Sequence, residues 1–202
     1  MWRAVALAST LLAGAWLGGC AGGASAPVTY DLLAPRVSTV TAPRPAAFQL
    51  VVNEPIGVRA LETDRILIKP GPERITYYKG AAWSDRLPRL LQVRMVEAFQ
   101  NAGLVKAVGS RGDRLDADME LATQVTSFQV EVEQGGAFAV IRVFLKLIDG
   151  QRGKMIDSRA FESRVPTSAT NAAEMVASLN KAFDAVLRDI VPWVASRRKK
   201  TT

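Results

Sequence analysis

One thiol, a cluster of aromatic rings and a few carboxylates are the side chains in this 202-residue chain that could do chemistry. The thiol belongs to Cys20, the only cysteine, which closes the run Leu17-Gly18-Gly19-Cys20. A lone cysteine forms no internal disulfide, so the fold must be held by packing. The rings are Tyr77, Tyr78 and Trp83, and the carboxylates are Glu131, Glu133 and Asp149. There is no histidine. That removes Ser-His-Asp and Cys-His nucleophiles, histidine general bases and zinc sites built on imidazole. No Gly-x-x-x-x-Gly-Lys-Ser/Thr loop is present, so ATP would have to be hydrolysed by another chain.

Cys20 sits where a leader would end. Residues 1–20 read as a positive start (the amino terminus and Arg3), an apolar run from Ala4 to Trp16, then Leu-Gly-Gly-Cys. The run has the length of a signal-peptide core and is short for a membrane-spanning helix. Leu17 to Cys20 resembles the bacterial lipobox. There the cysteine thiol takes a diacylglycerol before cleavage, and its new amino group takes an acyl chain afterwards. Cys20 is therefore the expected lipid-attachment residue, and its acyl chains are the only prosthetic group expected. Each buried CH₂ contributes about 0.8 kcal/mol, so several chains on one residue anchor it stably. Ala21 follows, where an Asp would signal inner-membrane retention. The resemblance thus implies the periplasmic face of the outer membrane.

Something must position whatever Cys20 anchors. From the cysteine to residue 47 the chain is rich in Gly, Ala, Ser, Thr and Pro, and reads as a flexible tether. Tyr30-Asp31-Leu32-Leu33 interrupts it and could dock on the folded part. Strands are expected at Phe48–Asn53, Arg65–Lys69 and Arg74–Tyr78, with Pro70-Gly71-Pro72 turning a hairpin between the last two. A helix follows, capped by Ser84 or Asp85 and stopped by Asn101 and Gly103. Its apolar stripe is Leu87, Leu90, Leu91, Met95, Ala98 and Phe99.

The middle of the chain alternates strongly. Met119, Leu121, Thr123 and Val125 share one face, and Phe128, Val130 and Val132 continue in the opposite phase. That slip predicts a β-bulge near Thr126-Ser127. Ala137–Ile148 reads as a central strand and Met155–Val165 as a more polar one nearer an edge. The last helix starts near Asn171, capped by Thr170 or Ser168. Met175, Leu179, Ala182, Phe183, Val186 and Ile190 form its stripe, and Pro192 closes or kinks it. The fold class expected is α+β: a single antiparallel or mixed sheet of about six strands packed with two amphipathic helices. The expected boundaries are leader 1–19, lipidated cysteine and tether 20–47, α+β domain 48–195, and basic tail 196–202.

Each reactive-looking group has a plainer reading. Tyr77, Tyr78 and Trp83, between a strand and a helix, could form a partner-binding or lipid-facing patch. They could equally fill the core, Trp83 under the following helix and one tyrosine on the sheet. Alternation puts Glu131 and Glu133 on a solvated face, paired across the sheet with Arg159. No catalytic residue and no metal site is expected. The net charge of +7 and the tail Arg197–Lys200 could favour anionic lipid. Nucleic acid is not expected for an exported, tethered chain.

The lipobox, Tyr30-Asp31-Leu32, Tyr77-Tyr78, Trp83 and Leu87-Pro88 occur in an order and spacing that resemble the ABC-type transport auxiliary lipoprotein family. The resemblance covers roughly Tyr30 to Val194. It implies a non-enzymatic subunit of an MCE-type ABC lipid-transport system, docking the periplasmic assembly at the outer membrane. The partners implied are an MCE-domain periplasmic protein and an ABC permease with its ATPase. Phospholipid is the implied cargo, and a ring-like homo-oligomer a possible form. An alternative is a structural envelope-assembly lipoprotein supporting lipopolysaccharide or outer-membrane protein insertion.

Overall fold

Alternation builds the centre of the sheet as expected. In a computed structural model describing residues 26–33 and 46–197, Met119–Glu133 is one long strand. It pairs antiparallel with Gly136–Asp149, and that strand with Met155–Thr167. The register slips between Val125 and Ser127, so the anticipated bulge is present. It lets Met119, Leu121 and Val125 before it, and Phe128 and Val130 after it, all bury in the same core. The leader, Cys20, most of the tether and the tail beyond Arg197 lie outside the described residues.

In chain order the strands are β1 (Val28–Tyr30), β2 (Ala46–Val52), β3 (Ile56–Gly57), β4 (Arg65–Lys69), β5 (Thr76–Trp83), β6 (Val105–Ser110), β7 (Met119–Glu133), β8 (Gly136–Asp149) and β9 (Met155–Thr167). The helices are α1 (Leu87–Ala102) and α2 (Ala172–Ala195). The fold is α+β with a single mixed sheet. Six strands match the expected ones, and β1, β3 and β6 are short additions. One edge of β7 is taken along its length by β8. The other is shared by β2, β3 and β4 in turn, all parallel to β7. β4 and β5 form the Pro-Gly-Pro hairpin, and among the described residues β9 pairs with β8 alone, as an edge strand.

Both helical stripes are buried as their periodicity requires. The two helices touch each other and share one core with the sheet. Rings lock the layers together. Trp83 meets Phe128 edge-on at 6.0 Å, Phe128 meets Phe183 at 5.9 Å, and Phe161 meets Trp193 at 5.5 Å.

The expected caps differ. At α1 neither Ser84 nor Asp85 caps; Arg86 holds the N-cap position with no side-chain bond, and the Leu87 N–H donates to the Thr63 carbonyl at 3.0 Å. The Ser84 hydroxyl is drawn off to Asp31 instead. At α2 the cap is Asn171 itself, accepting from the Glu174 N–H at 3.2 Å, while the Ser168 hydroxyl accepts from the Thr170 and Asn171 amides one step earlier. Gly103 stops α1 with φ +61°, a left-handed conformation that glycine adopts without strain. Pro192 does not end α2, which runs on to Ala195.

Candidate functional site: where the tether meets the domain

β1 lies parallel to β5, with Val28 beside Ala81 and Tyr30 beside Trp83. The Ser84 N–H then donates to the Tyr30 carbonyl at 2.8 Å. This turns the next residues inward, and Leu32 becomes fully buried in the core. Burial of one such side chain contributes about 1.5–3 kcal/mol. Polar groups fix its neighbours. Asp31 accepts from the Arg94 guanidinium at 2.6 Å, from the Ser84 hydroxyl at 3.0 Å and from the Leu32 amide at 2.9 Å. The Leu33 N–H donates to the Asn180 side-chain oxygen of α2 at 2.7 Å. Arg94 also holds Glu97 at 2.7 Å, so α1 presents a pre-positioned cation.

The electrostatics of this seat have a clear sign. Partial burial alone would push the Asp31 carboxyl up. The hydrogen bonds from Arg94 and Ser84, the Arg94 charge and the Leu32 amide outweigh it and hold Asp31 below the usual carboxylate range. Asp31 is therefore a charged latch, not a proton donor, at neutral pH.

Tyr77, Tyr78 and Trp83 all stand on β5, which runs farther than Arg74–Tyr78, so none lies in a connecting loop. Trp83 is buried in the ring ladder beneath α2, 3% exposed. The Tyr77 hydroxyl donates to the Ala60 carbonyl at 3.1 Å, and its ring carries the Arg65 guanidinium at 4.0 Å. The Tyr78 hydroxyl donates to the Thr170 carbonyl at 2.9 Å, tying β5 to the start of α2. The three side chains brace the strand on which the tether lies.

Glu131 and Glu133 are ion-paired, with partners other than Arg159. Glu131 meets Arg142 at 3.1 Å, and Glu133 takes both terminal nitrogens of Arg164 at 2.9 and 2.7 Å. Arg159 stands opposite Leu145, on the core-side parity of β9, and lies over the Phe161 ring at 5.0 Å. The two glutamates point to the other face, where Arg142 and Arg164 also lie. The Arg164 hydrogen bonds hold Glu133 below its ordinary range.

Asp31, Leu32, Arg94 and Asn180 are the residues that sequence reading did not assign to a site. The signal available was Tyr30-Asp31-Leu32-Leu33, an apolar interruption in a Gly/Pro-rich stretch; its partners lie 63 and 147 residues away.

A domain that seats the chain a few residues beyond a lipobox-like cysteine is the architecture of a tethered module. The family described as ABC-type transport auxiliary lipoprotein component matches residues 30–191, and this chain belongs to it. The match starts at Tyr30, inside the seat. Among solved structures, a protein from Xanthomonas campestris is 27% identical with a TM-score of 0.76, over 83% of this chain and 95% of that one. A second, described only as an uncharacterized protein, shares the fold at 18% identity and a TM-score of 0.63, over 84% of this chain and 99% of its own. An uncharacterized protein of Bradyrhizobium diazoefficiens is 27% identical over 173 residues, 85% of this chain and 46% of its own length. The chain thus spans about half the length of that curated relative.

Proposed function

We propose that this chain is the non-catalytic lipoprotein subunit of an MCE-type ABC lipid-transport system. Cys20 carries the lipid at the periplasmic face of the outer membrane, and the domain docks the periplasmic assembly there. The seat of Asp31 and Leu32 carries this reading within the family. It converts a long tether into a short one, since only residues 21–27 separate Cys20 from β1. However arranged, that stretch reaches no more than about 28 Å. A domain held so close acts through position, and its partners supply the ATP hydrolysis. Phospholipid or another hydrophobic compound is the cargo.

In-cell crosslinking of the full-length protein should recover an MCE-domain protein, and Cys20→Ala should release the chain from the membrane with loss of transport. Full function from a released Cys20→Ala protein, or no MCE-domain protein recovered from well-expressed wild type, would overturn the reading.

A further inference from the structure

β1 runs parallel to β5, β5 antiparallel to β4, and β4 parallel to β7, so β1 runs against β7. The register sets Thr29 beside Ala82, Ala82 beside Arg65 and, with Ile68 beside Val130, Arg65 level with Ser127, so the seat lies along the middle of β7. The β8–β9 turn lies at one end of β7, beside Met119. A strand as long as β7, 15 residues, spans about 45–50 Å.

That end of the sheet presents cations and apolar side chains together. Arg152 and Lys154 are exposed in its turn, and Met155 and Ile156, at 57% and 38% exposure, follow directly. The turn is held rigid. The Asp149 carboxylate accepts from the Gln151 and Arg152 amides at 3.0 and 2.9 Å, while the backbone of Asp149 bonds to Lys154 and Gly153, each at 2.8 Å. Beside it, two more cations are held over rings that are themselves buried in the core. Arg159 lies over Phe161, Phe161 meets Trp193, and Arg197 lies over Trp193 at 5.7 Å while pairing with Asp157 at 2.8 Å. Beyond Arg197 the sequence continues Arg198-Lys199-Lys200.

We infer that this end, formed by Arg152, Lys154, Met155, Ile156, Arg159 and Arg197, is a docking surface for an acidic protein partner. The inference rests on the docking role proposed above and names its surface. Charge complementarity selects an acidic occupant, and the pre-formed turn lowers the ordering cost of binding it. A protein fits better than a bilayer for two reasons. The turn tip, Gly150–Lys154, offers no large apolar or aromatic side chain to insert among lipid tails. The exposed apolar pair instead begins β9, which among the described residues pairs with β8 on one side alone and leaves hydrogen-bonding groups that a protein strand can pair.

The test compares recovery of the MCE-domain protein by full-length lipidated wild type, the double variant Arg152→Glu/Lys154→Glu, and Met155→Ser. All three should remain membrane-bound, because Cys20 and the seat are untouched. The double variant should recover roughly tenfold less partner or worse, Met155→Ser should recover less, and added salt should weaken wild-type recovery. Wild-type recovery matched by both variants would overturn this inference and leave the proposed function standing. Absence of recovery by wild type would sink both. If the double variant keeps its partner but stops wild-type-like binding to phosphatidylglycerol vesicles, the surface belongs to a bilayer and the inference is wrong.

Discussion

At Asp31 the side chain, its charge and the chain direction are linked. Its carboxyl is held below the ordinary range, so folding with the seat closed favours the ionised form. The latch contribution is fully present above the unfolded carboxylate range and is lost as pH falls through the depressed native value. Thermal unfolding of wild type and Asp31→Asn should differ at neutral pH and converge in strong acid. A gap constant through pH 2 would show that the charge has no part in it. The apolar half of the seat is separate. Leu32→Ala should cost about 2–5 kcal/mol at any pH, because it empties a fully buried position. That the Tyr30–Leu33 segment docks was legible from its apolarity. That Arg94 and Asn180 receive it was not, since both look like ordinary polar residues on helix surfaces.

Elements were legible in proportion to the strength of their pattern. β7, β8 and both helical stripes carry long periodic runs, and even the bulge showed as a phase slip. β6 was missed. Val105–Ser110 holds a lysine and a glycine among few β-formers, and it becomes a strand because β2 pairs with it in parallel. The caps were misplaced for a related reason. Ser84 is a good capping residue by type, but the docked segment competes for its hydroxyl. The β8–β9 hairpin is constrained at Gly150, where an added Cβ would run into the Ala117 carbonyl. Gly150→Ala should therefore lose about 1–3 kcal/mol in denaturant unfolding, the usual penalty for forcing atoms into a packed site. An unchanged midpoint would mean that the 117–118 segment yields freely.

Over the whole molecule, one core joins sheet and helices through the ladder Trp83–Phe128–Phe183. Because β5, β7 and α2 meet there, and β5 also carries the tether strand, loss of the indole should be felt at the seat as well as in the core. Trp83→Ala should cost about 3–5 kcal/mol while unfolding stays a single transition. Loss of stability under 1 kcal/mol would contradict the packing described.

Local features were legible along the chain: the lack of histidine, the periods of strand and helix, and the resemblance to the family matched over residues 30–191. Those depend on residue type and near-neighbour spacing, which the chain displays directly. What depends on distant partners came from the folded arrangement. It placed Asp31 against Arg94, turned Glu131 and Glu133 toward Arg142 and Arg164 rather than Arg159, and set the β8–β9 turn beside Met119 at the start of β7. Strand order and face parity decide such encounters, and both emerge only when β7 has chosen its neighbours.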